Sequence, residues 1–243
     1  DKDEKNGYRT YPIMKVPMMR SAKILGTYGI SLDSVAEIIQ DHDHHLDHLD
    51  RTLEQAEARL NHDIEWKRRC LAALREQREI ISHGIGTVYF AELDEMAYLE
   101  YYGAEKLRAN KKLQGQVDQW LQGMPIVMPA PFCPRELVGQ DCYCPAGFMV
   151  RQADMDFLGL REEENVRVLP ARLCVCTTVA QREEIGIMAK EAIEPLLIFI
   201  QQTGLCVAGD ALFRCISFES NENSSGKIYY HVMLPVEVGK TSK

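Results

Sequence analysis

The sequence predicts an α+β protein in which one long helix joins a small helical segment to a larger mixed domain. Three observations predict it. Between Asp41 and His83 apolar residues return every three or four positions, with no Pro or Gly before Gly84, as in a single long helix. Residues 13–40 carry two shorter helical patterns. After Gly84 the segments mostly change to the two-residue alternation of strands, and two helical stretches interrupt them. The expected domains are 1–40, 41–83 and 84–243.

Composition narrows the function classes. The chain of 243 residues is 46% hydrophobic and 26% charged, an ordinary globular balance. A formal charge of −8 excludes wholesale coating of nucleic acid and confines DNA contact to a local basic patch. No apolar run is long enough to span a bilayer and no signal-peptide pattern is visible. A cytoplasmic setting without membrane contact is expected.

In chain order, Asp1–Asn6 is charged. Gly7-Tyr8-Arg9-Thr10-Tyr11-Pro12 then alternates aromatic and basic residues beside a glycine turn. That pattern suits a short hairpin laid on a phosphate backbone, Arg giving charge-assisted contacts and Tyr a hydroxyl donor. Residues 13–29 read as a helix with Val16, Met19, Ala22 and Leu25 on one face and Lys15, Arg20 and Lys23 elsewhere. Pro17 sits in its first turn, where a missing N–H is tolerated, and Gly29 ends it. Ser31 caps a second helix, 32–40, with Leu32, Val35, Ile38 and Ile39 inward.

The long helix carries Leu46, Leu49, Leu53, Ala56, Leu60, Ile64, Leu71, Leu74 and Ile81, the narrow seam of a coiled coil. Leu60 to Ile64 is a second four-step in a row and reads as a stutter. Lys67 and Arg78 occupy seam positions. Tight pairing is therefore expected in the N-terminal half and looser contact after Ile64. Such a stripe packs either on its own domain or on a partner helix, most simply from a second copy. At its start, Asp41–His48 is rich in metal-ligand types, with His44 and His48 on one face. The favoured reading is a solvated face whose acidic residues favour the positive helix end. No metal is expected there. None is expected at Cys142/Cys144 or Cys174/Cys176, whose i, i+2 spacing in strand-like runs marks small buried hydrophobes. No cofactor is expected.

Past Gly84, residues 87–90 and 97–102 read as strands, and 104–122 as an amphipathic helix with Leu107, Leu113, Val117, Trp120 and Leu121 inward. Residues 123–134 hold four prolines and read as a loop. Residues 135–152 and 166–179 are strand-rich. A second helix is expected over 181–202, with Ile185, Met188, Ala192, Leu196 and Ile200 inward and Pro195 inside it. Strands 206–219 and 227–238 follow, joined by a polar turn at 220–226. The order strand, helix, two strands thus occurs twice, a duplicated β-α-β-β layout that leaves a groove between the halves for a small molecule.

Together these residues resemble a known family. Gly7-Tyr8-Arg9-Thr10-Tyr11 resembles the G-Y-R-x-Y wing of MerR-family transcription regulators. Gly29-Ile30-Ser31-Leu32-Asp33-Ser34-Val35 is similar to the L-G-F-S-L-x-x-I element that follows the wing at this distance. A long dimerisation helix comes next, as it does here. The layout of 84–243 resembles the GyrI-like effector domain of multidrug-sensing members. The resemblance implies a helix-turn-helix ahead of the wing, which the natural protein is expected to carry. Residues 1–40 would then be the rest of a winged DNA-binding domain.

The resemblance further implies a homodimer with antiparallel 41–83 helices, bound to promoter DNA and acting on RNA polymerase indirectly through DNA bending and untwisting. Tyr8, Arg9, Tyr11, Lys15 and Arg20 are expected to contact the DNA backbone. Tyr102, Phe148, Glu184, Phe213, Cys215 and Tyr230 are expected to hold a small aromatic or lipophilic effector. Phe213 falls where drug-sensing relatives place a pocket carboxylate, and Glu184 is the nearby alternative. On the last strand Tyr230 alternates with His231 and Met233, and either face could meet the ligand. The competing readings are a small hydrolase using Glu100, Glu184, Tyr102 and Tyr230 as acid/base groups, and a ligand-sequestering module.

Overall fold

The computed structural model describes residues 12–41, 43–102, 110–182, 187–188, 190–221 and 224–239. It divides into two compact units, Asp1–Arg69 and Cys70–Lys243. The wing residues Tyr8, Arg9 and Tyr11 lie outside the described residues.

In the first unit a 3-10 turn, Ile13–Lys15, leads into α1 (Val16–Thr27), with Pro17 in its first turn. The end of α1 is closed by two backbone bonds, Gly29 N–H to Gly26 C=O at 3.0 Å and Ile30 N–H to Leu25 C=O at 3.2 Å. This double closure needs a left-handed residue, and Gly29 supplies φ +76°. The Ser31 hydroxyl accepts from Ser34 N–H at 3.1 Å and caps α2 (Leu32–Gln40), as the sequence predicts. Leu25, Ile30, Val35 and Ala56 form a small core, with Ala22, Ile39, Leu49 and Leu53 packed against it. Met19 is exposed, not inward.

The long helix is continuous: α3 (His45–His83) has 39 residues, a length of roughly 60 Å at 1.5 Å per residue. Gly84 ends it at φ +81°. The seam is divided along its length. Leu49, Leu53 and Ala56 are covered by α1 and α2 of the same chain, while Leu46 is exposed. Leu60, Ile64, Leu71, Leu74 and Ile81 lie 41–56% exposed. These five fit one heptad frame (d, a, a, d, d), with Lys67 and Arg78 at the missing places. The acidic and histidine cluster is capping chemistry. Asp41 Oδ1 accepts from His44 N–H at 3.0 Å, and that bond holds its carboxyl below the usual range.

The second unit runs, in chain order, β1 (Tyr89–Leu93), β2 (Met96–Tyr102), α4 (Lys111–Gln122), β3 (Met128–Pro129), β4 (Phe132–Cys133), β5 (Cys142–Tyr143), β6 (Ala146–Arg151), β7 (Val166–Leu169), β8 (Arg172–Arg182), β9 (Ile187–Met188), α5 (Lys190–Thr203), β10 (Leu205–Val207), β11 (Ala211–Asn221) and β12 (Ser224–Val238). One antiparallel sheet has the order β1-β8-β12-β11-β4, with β10 also on β12. A second has the order β3-β6-β2-β7, and β5 pairs with β9.

Several sequence expectations shift. The four-proline stretch is not plain loop, because it supplies β3 to one sheet and β4 to the other. Prolines lack the N–H that a longer ladder needs, which fits strands only two residues long. The second helix begins at Lys190, not 181, because Gln181 and Arg182 still pair with β12 and Met188 pairs with Cys142. The last hairpin closes at Asn221–Ser224, tighter than a 220–226 turn. Among the described residues seven strands separate α4 from α5 and three follow α5, and the pairing of the two halves differs. In the first half β2 lies between β6 and β7. In the second β12 lies between β8 and β11.

The large sheet is buried on both faces. Val175, Val179, Phe213, Val232, Leu234 and Val236 point to α5, where Ile193, Leu196 and Ile200 meet them. The alternate residues Cys174, Cys176, Leu212 and Met233 point to the second sheet and meet Met96, Tyr98, Met128 and Met149.

Candidate ligand site between the two sheets

Between the sheets, beside the C-terminal end of α3, lies a cavity of about 230 Å³. Strand register builds its floor. Met233, Cys176 and Tyr89 line it from one row across β12, β8 and β1, and His231 lines it from the next row, where Arg214 and Thr178 flank it outside the lining. The second sheet contributes Met96, Met128, Met149 and Arg151. The helix contributes Glu76, Glu79, Ile80 and His83.

The middle of the cavity is soft and apolar. Four methionines and two cysteines line it, and thioether side chains adapt to irregular ligands. Burial pushes the Cys174 thiol up to about 12 and moves Cys176 the same way. Both stay protonated near neutrality and are poor nucleophiles.

The edge is polar and closely paired. Glu76 of α3 forks between the sheets. Its Oε1 accepts from Arg214 Nη1 at 2.5 Å and its Oε2 from Arg151 Nη2 at 2.6 Å. Arg151 Nε also donates to Asp94 Oδ2 at 2.8 Å. Arg214 is buried, so its charge depends on Glu76 for compensation. Tyr89 stacks on His83 with ring centroids 3.8 Å apart, and its hydroxyl lies 2.9 Å from His231 Nε2. Burial pushes the Tyr89 phenol up to about 12. Burial, then the Arg214 charge, holds the His231 imidazole down at about 4.

The residues expected to bind a ligand fall elsewhere. Phe213 is fully buried against α5, and Tyr230 meets it edge-on at 6.3 Å on that same face. Phe148 is buried on the far side of the second sheet from Met149, stacked on Tyr101 at 4.6 Å. Cys215 is half-buried and takes no part in the lining. The Tyr102 side chain and Glu184 lie outside the described residues. This cavity lies one residue out of phase with the expected set, on a face of β12 that the sequence left open. His231 and Met233 line the cavity where Tyr230 was expected, and Met149 lines it where Phe148 was. Sequence reasoning also missed Tyr89, Arg151, Arg214 and Glu76. The available signal was the Tyr-His-Val-Met alternation of β12, in which a histidine interrupts an apolar face.

Of the expected DNA contacts, Lys15 and Arg20 are exposed on the turn before α1 and on α1. No described helix is long and apolar enough to cross a membrane. Among the described residues no cluster of three or more His, Cys, Asp or Glu is arranged to hold a metal.

No protein-family model matches the chain, and no curated protein matches it. Among solved structures it is similar to the EcmrR–DNA complex in EcmrR-RPo, solved by cryo-EM, at 15% identity over 97% of this chain and 88% of that one, with a TM-score of 0.38. It is also similar to the EcmrR C-terminal domain, at 13% identity over 62% of this chain and 97% of that one, with a TM-score of 0.37.

Proposed function

We propose that this chain is a ligand-responsive transcription regulator of MerR type. It acts as a homodimer through α3 and takes its effector in the cavity between the two sheets. The observation that carries the reading is the position of Glu76. One helix holds both a heptad-spaced apolar stripe from Leu60 to Ile81 and a carboxylate clamped to both walls of the cavity. A ligand that spreads the sheets must strain or release that clamp, and the rod feels it. A ligand shifts such an equilibrium only by its differential affinity for the two states. A cavity wall made partly of the rod provides that difference. Tyr8, Arg9 and Tyr11, with Lys15 and Arg20, are the groups for the DNA backbone.

DNA affinity is the test, measured by fluorescence anisotropy on duplex DNA fragments across a salt series. Arg9→Ala is expected to weaken binding uniformly across sequences and to lower the salt slope by about one. An unchanged slope would remove the phosphate role, and absence of any salt-dependent DNA binding would end the regulator reading.

A further inference from the structure

The charge and hydrogen-bonding state of the cavity define the ligand it takes, and this step rests on the cavity being the effector site. His231 is about 5% exposed. Its Nε2 end meets Tyr89, and its Nδ1 is buried without a hydrogen-bond partner. A neutral imidazole carries one proton, on one nitrogen or the other. A proton on Nδ1 would leave a buried N–H donor orphaned, which is rarer and costlier than a bare lone pair. Arg214, opposite His231 in the ladder, also favours a lone pair at that position over another positive hydrogen. The proton therefore sits on Nε2, and His231 donates to the Tyr89 oxygen.

That assignment fixes what Tyr89 can do. Its oxygen is occupied as an acceptor, and its own O–H has no other partner among the described residues. The ring is held by stacking on His83 and lines the cavity. A protonated phenol is thus presented to the space between the sheets. The carboxylates there are poorly placed to take a cation: both Glu76 oxygens are engaged by guanidinium groups, Asp94 is paired with Arg151, and Glu79 and Glu92 are exposed to solvent. A volume of about 230 Å³ exceeds the roughly 150 Å³ of a cavity that takes benzene and falls below the usual drug-sized range. One or two fused rings fit it.

We propose that the cavity selects a neutral, planar, one- or two-ring molecule bearing a hydrogen-bond acceptor, which takes the Tyr89 hydroxyl proton, with His231 as the positioning residue that turns that hydroxyl toward the ligand.

Three probes of nearly one shape test this on the whole chain by isothermal calorimetry. They are 2-acetylnaphthalene, which has a carbonyl acceptor; 2-isopropenylnaphthalene, its isostere without one; and N-methylquinolinium, a charged bicycle. The ketone is expected to bind about five- to tenfold tighter than the alkene, the worth of one net hydrogen bond. Tyr89→Phe, which keeps the ring and its stacking, should abolish that preference. Equal affinities, a preference that survives Tyr89→Phe, tighter binding of the quinolinium than of the ketone, or no binding of any probe overturns the inference. Ketone-selective binding that leaves DNA affinity unmoved would uphold it and sink the regulator reading instead.

Discussion

His231 ties the chemistry of the cavity to the stability of the protein. Its imidazole is held at about 4 by burial, below the ordinary value near 6.5. The unfolded chain therefore takes up the proton first. Stability from the neutral ring is fully present above about pH 6.5 and is lost as pH falls toward 4. The loss over that window is about 3 kcal/mol, taking 1.36 kcal/mol for each unit of pKa. Urea unfolding at pH 7 and pH 4.5 should show it, and His231→Gln should remove most of the difference between the two. An identical pH response in the variant would contradict a buried neutral imidazole. Gly147 makes a separate residue-scale case. A Cβ placed there would lie 2.0 Å from the Tyr98 hydroxyl, which donates to Ala130 C=O at 2.8 Å. Gly147→Ala should destabilise the protein by about 1–3 kcal/mol through overpacking, read as a lower urea midpoint.

At the scale of the element, α3 serves different neighbours along its length. Its first turns are packed by α1 and α2, its last turns wall the cavity, and the stripe between and alongside them is bare. Periodicity marked the seam but not the buried Ala73 and Ile80, and it could not say which seam positions were already covered, because own-chain and partner packing demand the same spacing. A bare heptad stripe on a charged helix predicts self-association. Light scattering should give twice the chain mass. Ile64→Asp with Leu71→Asp should give the monomer mass with helix content kept, since both sites face outward in the single chain. A wild-type chain that stays monomeric at all concentrations would remove the dimer. The strands of the large sheet show the matching ambiguity. Both faces are apolar, so alternation separates Phe213 and Tyr230 from Leu212, His231 and Met233 without saying which set meets the ligand.

For the whole molecule, the Glu76 fork ties α3 to both sheets, and in the regulator reading it is the joint between ligand and helix. Glu76→Gln leaves the buried Arg214 charge without its carboxylate. Removing one partner of a buried pair costs about 3–5 kcal/mol, and about 2 kcal/mol is expected here because Glu76 is one-third exposed. In the regulator reading the same change should reduce the effect of ligand on DNA affinity more than it reduces ligand affinity itself. Anisotropy titrations with and without 2-acetylnaphthalene would separate the two, and an undiminished ligand effect would relocate the coupling.

The sequence by itself determined the long helix, the Ser31 and Gly29 stops before it, the strand-rich C-terminal part and the burial of the Cys174–Cys176 pair. Each follows from local spacing, capping chemistry or a glycine that tolerates positive φ. Only the tertiary structure decided which half of the α3 stripe is covered, how the four-proline stretch is shared between two sheets, and which face of β12 lines the cavity. Those depend on residues far apart in the chain, such as Glu76 with Arg214 and Tyr89 with His231. No local pattern encodes a contact across more than a hundred residues.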